Sequence, residues 1–110
     1  MHYHIESGKI LAYLLNLDHP EGRGKARFFA SMGFTARNWR TLADALILLA
    51  QTNPPVHSIE SPHGRKYLID GTIDTPSGQQ ARIRTIWIID SGSDVCRLVT
   101  AYPGKKEIRR

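Results

Sequence analysis

The hydrophobic period of this chain changes once, near its middle. Up to Thr52 the apolar residues recur at helical spacing, and beyond Pro55 they alternate. Ile10, Leu11, Leu14 and Leu15 form one wide stripe, which predicts a first helix running through Lys9 to Leu15 with Ser7 as its cap. A second helix is expected near Lys25 to Met32, with Ala26, Phe29 and Ala30 on one face and Gly33 as its stop. Thr35 is then placed to cap a third helix over about Ala36 to Thr52. Trp39, Leu42, Ala43, Leu46, Ile47 and Ala50 share its apolar face, so it should be the main core helix. Asn53-Pro54-Pro55 ends it, because the residue before a proline disfavours helix.

The second half reads as strands joined by tight turns. Val56 to Ser61, Lys66 to Ile73, Ala81 to Ile89 and Val95 to Tyr102 are the four strand candidates. Ser61-Pro62-His63-Gly64, Asp74 to Gly78 and Asp90 to Asp94 carry the turn residues between them. The segment from Ala81 to Ile89 is the strongest strand, being rich in β-branched and aromatic residues. Helical patterns followed by hairpins predict an α+β fold: about three N-terminal helices packed on a C-terminal four-stranded antiparallel sheet. A length of 110 residues fits one domain, 1–110, with its core at about 8–103 and a basic tail at 104–110.

Composition narrows the class. A hydrophobic fraction of 41% is too high for a disordered chain. No apolar run reaches the roughly 18 residues of a membrane span, and the N-terminus lacks a secretory pattern. Cys96 is the single cysteine, which points to a cytoplasmic home and a small core residue. The net charge of +5 favours acidic partners such as nucleic acid. Much of that excess sits in the tail, at Lys105, Lys106, Arg109 and Arg110.

Candidate chemistry gathers at three places. His19-Pro20-Glu21-Gly22-Arg23-Gly24-Lys25 is a turn-prone run that leads into a helix. A helix start offers unpaired N–H groups and a partial positive charge, and His19, Arg23, Lys25 and Arg27 surround it, so the junction suits an anion. Arg82 and Arg84 share one strand face, opposite Ala81, Ile83, Thr85, Trp87 and Ile89, which form the core side. They could grip phosphate with their planar forks, or pair across strands, with Asp70 for example. In the last strand Leu98, Thr100 and Tyr102 are expected on one face, where the two hydroxyls could donate to an oxyanion. Five histidines, at positions 2, 4, 19, 57 and 63, show no metal-ligand spacing, and no cofactor motif is present.

The runs Tyr13-Leu-Leu-Asn16, His19-Pro-x-Gly22-x-x-Lys25-Ala-x-Phe-Phe29 and Met32-Gly-Phe34 resemble a family of small bacterial domains catalogued without an established function. Thr75-Pro-x-Gly78, the Trp87 strand and Arg97-Leu-Val-Thr-Ala-Tyr-Pro103 continue the likeness over residues 8–103. The closing Leu-Val-Thr-Ala-Tyr-Pro is also similar to the last strand of bacterial toxin ribonucleases of the barnase, EndoU, colicin and RelE-like (BECR) group. That resemblance implies a toxin-like, metal-independent endoribonuclease, in which the ribose 2′-OH attacks the adjacent phosphorus to leave a 2′,3′-cyclic phosphate. It implies His19 as acid or base, Lys25 and Arg84 as stabilisers of phosphate charge, and Thr100 as donor to a non-bridging oxygen. Tyr102 would stack a base or donate its hydroxyl. Arg23, Arg27, Arg82, His57 and His63 would contact substrate, the two histidines being reserves for the second proton transfer. The implied partners are RNA and an acidic antitoxin or immunity protein, with no membrane, metal or cofactor. The alternative is a non-catalytic RNA-binding or protein-interaction module of the same fold.

Overall fold

In the computed structural model the described residues are 2–104, so the basic tail that holds Lys105, Lys106, Arg109 and Arg110 lies outside them. Strands β1 (His2–His4), β2 (His57–Ser61), β3 (Gly64–Asp74), β4 (Gln80–Asp90) and β5 (Val95–Pro103) form one sheet in the order β1-β5-β4-β3-β2. The four later strands are antiparallel neighbours, as the alternation predicts, while β1 runs parallel to β5. The expected four-stranded antiparallel sheet is therefore a five-stranded mixed one. Three residues carry no readable period, and the partner of β1 lies at the far end of the chain. What fixes β1 is tertiary: the Tyr3 ring meets Trp87 edge-on, with centroids 5.1 Å apart.

The helices cover one face of the sheet. They are α1 (Ser7–Lys9), which continues into a π-helical turn (Ile10–Leu14), then α2 (Arg23–Ser31) and α3 (Trp39–Thr52). Ser7 is not a cap: Glu6 holds that place, without a side-chain bond. Leu15 N–H donates to Ile10 O at 2.8 Å, the wide spacing of a π turn. Ile10 and Leu14 are buried by it and Leu11 is left exposed. The second helix starts earlier than expected and ends as expected, with Gly33 at φ +94°. The third starts later, because Thr35 and Asn38 bond each other in a turn that takes up residues 35–38.

Leu42, Ala43, Leu46, Leu49 and Ala50 of α3 are buried against Ile69, Ile73, Ile83 and Trp87 in one hydrophobic core. Trp39 is only half-buried at its rim, so it is not the deep core residue that the helical period suggests. Thr85 is the polar exception in the core. Its hydroxyl donates to Ile69 O at 2.7 Å and accepts from Trp87 Nε1 at 2.7 Å, and among the described residues no buried polar side-chain atom lacks a partner. Cys96 is buried, as expected, and burial pushes its thiol up to about 11.

One irregularity decides the other face. Trp87 stands opposite Leu98, but Ile86 stands opposite Thr100, so Val99 is an extra residue in β5. The bulge shifts the alternation by one. Leu98 faces the core, while Thr100 and Tyr102 face away from it, beside Ile86 and Arg84. The expectation that Leu98 shares their face is thereby corrected. No described helix is long and apolar enough to cross a membrane.

Candidate functional site

The loop before α2 is built by its own side chains. Asn16 Oδ1 accepts from Asp18 N–H at 3.0 Å. His19 Nδ1 accepts from the N–H groups of Glu21 at 3.1 Å and Gly22 at 2.9 Å. Those N–H groups lie just ahead of the first helical residue, Arg23, so the imidazole ties the loop into the approach to α2. An Nδ1 that accepts twice leaves the ring proton on Nε2. His19 is thus arranged as a hydrogen-bond donor from Nε2.

Gly22 explains the next contact. A Cβ there would lie 2.9 Å from Tyr13 Cδ1 and 3.0 Å from the Tyr13 carbonyl oxygen. The missing side chain lets Tyr13 lie flat against the start of α2, with the His19 ring edge-on to it at 5.0 Å. Lys25, one turn along, then donates from Nζ to the Tyr13 hydroxyl and lies 5.8 Å from the Tyr102 ring centre. The Tyr13 oxygen is also 3.3 Å from Thr100 Oγ1. β1 pairs with β5 only as far as Arg97, so Tyr13 and Lys25 meet β5 beyond the end of β1.

Across the sheet, Arg84 stands opposite Tyr102 on one side and Asp70 on the other. It binds Asp70 with both prongs, Nε to Oδ1 and Nη2 to Oδ2, each at 2.8 Å. Tyr102 is its cross-strand neighbour on β5, and the phenol adds to the electrostatics around the guanidinium. The cross-strand pairing with Asp70 is therefore real, and it coexists with contact to the hydroxyl side of the site. His19, Tyr13, Lys25, Thr100, Tyr102, Arg84 and Asp70 form one continuous chain of contacts.

The electrostatics follow from these partners. Burial raises the Tyr13 phenol, but hydrogen bonds from Lys25 and Thr100 and the charges of Lys25 and Lys9 outweigh it, so the phenol is held below its ordinary value. The Arg84 hydrogen bonds hold the Asp70 carboxyl below the usual carboxylate range, against a smaller contribution of burial.

The other expected site residues lie apart. Arg23 and Arg27 are each two positions from Lys25, hence about 200° round the helix, and both are exposed. Arg82 shares the open face with Arg84 and adds its charge at Asp70. His57 is in the same cross-strand row as Thr100, with Leu68 and Ile86 between, so about 14 Å separates them at the usual strand spacing. His63 lines a groove of about 500 Å³ with Ile59, Lys66, Ile88, Arg97 and Val99. Neither histidine reaches the cluster around Lys25. No group of three or more metal-ligating side chains occurs among the described residues.

Tyr13 is the site member that spacing does not reveal. It lies in an apolar helical run and looks like packing. Its signal is mutual: a glycine that makes room for it and a lysine that reaches it, both in the following motif.

No curated protein matches this sequence. Two chains of solved structures match its fold. One belongs to a contact-dependent growth inhibition toxin–immunity protein complex from Klebsiella pneumoniae 342. It is 16% identical, with a TM-score of 0.71 over 91% of this chain and 98% of that one, which shows a shared fold. At the level of sequence, residues 1–105 match the profile described as Domain of unknown function (DUF6883), and the chain belongs to that family.

Proposed function

We propose that this chain is a toxin-type, metal-independent endoribonuclease of the BECR kind, with its active site where α2 meets β4 and β5. The observation that carries this reading is the convergence of Lys25, from a helix start, with Thr100, Tyr102 and Arg84, from two strands. Two cations and two hydroxyls on one patch of surface are the donor set that a pentacoordinate phosphorus needs. The 2′-OH attacks the adjacent phosphorus, and Lys25 and Arg84 stabilise the charge that develops. Thr100 and Tyr102 donate to a non-bridging oxygen. His19 donates from Nε2, and its bonds to Glu21 and Gly22 keep the helix start in place. Asp70 orients Arg84 without facing the substrate alone.

The partner expected beside RNA is an acidic immunity-type protein, suited to the charge of +5. The fold shared with a chain of a toxin–immunity protein complex supports that context.

The test is direct. The purified chain is incubated with total bacterial RNA, with and without EDTA. Fragments ending in 2′,3′-cyclic phosphate should accumulate equally in both. Cleavage that stops in EDTA and returns with zinc or magnesium removes the metal-independent mechanism. Intact RNA that stays bound to the protein favours a binding module instead.

A further inference from the structure

Resting on the ribonuclease reading, we propose that Tyr13 is the general acid, giving its phenolic proton to the departing 5′-oxygen. His19 is poorly arranged for that step. Its Nδ1 is held as an acceptor by two backbone N–H groups, so becoming a cationic acid would break both bonds. Tyr13 has the opposite surroundings. Lys25 can only donate, and it donates into the phenol oxygen, so the phenol's own proton points to Thr100 or to a ligand. The Thr100 hydroxyl is 3.3 Å away, which puts the phenol within one hydrogen bond of the expected phosphate seat.

The charge left behind is also provided for. When Tyr13 loses its proton the phenolate meets Lys25 at its oxygen and Lys9 at 5.3 Å from its ring centre. The lowered ionisation of the phenol agrees with this arrangement. The step balances without a co-reactant. The 2′-oxygen forms its bond to phosphorus and its proton goes to solvent water. The bond from phosphorus to the 5′-oxygen breaks, and that oxygen takes the Tyr13 proton. Solvent then reprotonates the phenolate.

The experiment compares two leaving groups. The cleavage site of the wild-type chain is first mapped on an RNA oligonucleotide. The same oligonucleotide is then made with a bridging sulfur in place of the 5′-oxygen at that site. A thiolate leaves without a proton, so the acid matters only for the oxygen linkage. Tyr13→Phe keeps the ring packed on Gly22, and should slow cleavage of the oxygen linkage by about 100-fold or more. The sulfur linkage should be slowed far less, only by what Lys25 and Thr100 lose when the Tyr13 hydroxyl no longer holds them. Equal slowing of both linkages, or of neither, overturns the proposal. The wild-type pH profile reads the same point without a variant: the oxygen linkage alone should lose rate as the phenol ionises at alkaline pH. Identical profiles for the two linkages overturn it too. A wild-type chain that cuts neither RNA removes the ribonuclease reading itself, and the acid with it.

Discussion

The two sides of the open sheet face differ in how their polar groups are held. On the β5 side each group is fixed by a residue 12 or more positions away: Tyr13 by Thr100, Lys25 by Tyr13, Arg84 by Asp70. On the β2 side the strand His57–Ser61 is exposed throughout, and its ion pair, Glu60 with Arg65, joins neighbours across one hairpin. From there a groove crosses to the start of β5, with Lys66 and Arg97 flanking an apolar floor of Ile59, Ile88 and Val99. Directed donors held before the substrate arrives are what stabilise a transition state. Exposed cations beside apolar surface, one of them already paired with Asp90, give adhesion. The open face is therefore one surface with two roles, chemistry at one edge and grip at the other.

The largest effect should separate the two edges in rate. Lys25→Met and Arg84→Ala should each lower cleavage by about 10²–10³-fold, in the range seen when one oxyanion donor is removed. His57→Ala and His63→Ala should leave the rate within a small factor of wild type. The double variant of Lys25 and Arg84 should lose less than the product of the two single losses, because both act on one transition state. Rates on a common RNA check this. Equal losses at both edges would dissolve the comparison.

The second effect concerns how the two Arg–Asp pairs are held. Arg84–Asp70 and Arg97–Asp90 are both two-pronged, but the side chain of Asp70 is 17% exposed and that of Asp90 44%. Asp70→Asn should cost about 1.5–3 kcal/mol, the usual worth of hydrogen bonds to a charged group. Asp90→Asn should cost much less, because an exposed pair is screened by solvent. The Asp70 carboxyl is held below its unfolded value, so its contribution is present above that value, near pH ~4, and is lost as the pH falls further. The stability gap between wild type and Asp70→Asn should thus be full at neutral pH and close in strong acid. Urea titrations at several pH values measure it. A gap independent of pH would mean that the pair is not what the substitution removes.

The layout of helices and hairpins was legible in the sequence because the apolar period is strong in both halves. The core face of β4 follows from simple alternation. Two features were not legible, and both decide the site. The bulge at Val99 moves Thr100 and Tyr102 to the open face, and no residue type announces it. The π turn over Ile10–Leu14 orients Tyr13, which otherwise passes for one more apolar residue of an amphipathic helix. His19 was legible as a candidate, but its work on two backbone N–H groups needed coordinates. Strand β1 leaves no signal in the sequence, because its pairing is parallel and spans nearly the whole chain.

A smaller effect tests how the site is packed. Gly22→Ala should destabilise by about 1–3 kcal/mol, because the new methyl meets the Tyr13 ring and its backbone oxygen. Gly24→Ala is the control. Nothing lies within 4 Å of a Cβ there, and the position is helical, so the change should stabilise by about 0.5–1 kcal/mol. Thermal melts read the opposite signs. Cleavage should fall with Gly22→Ala and hold with Gly24→Ala, since only the first displaces Tyr13.

The smallest effect sharpens the gripping edge. Lys66 makes no ion pair among the described residues, whereas Arg97 is bound to Asp90 at 2.7 and 3.0 Å. If both cations meet RNA phosphates, they should differ in what they contribute. Each phosphate neutralised by a full charge adds about 0.7–0.9 to the slope of log affinity against log salt. Lys66→Ala should therefore reduce that slope by nearly one contact, a change of about threefold in affinity between 50 and 200 mM salt. Arg97→Ala removes a cation whose charge is already offset, and it leaves Asp90 facing the RNA. Its slope should change less, while its affinity falls at every salt concentration. Asp90→Asn should do the reverse and tighten binding. Binding to an uncleavable 2′-deoxy-substituted oligonucleotide, measured across salt, gives all three. An Arg97 variant with the full slope change of Lys66 would mean that Asp90 releases the guanidinium when RNA binds, and the pair would then belong with the adaptable side of the face rather than with the fixed one.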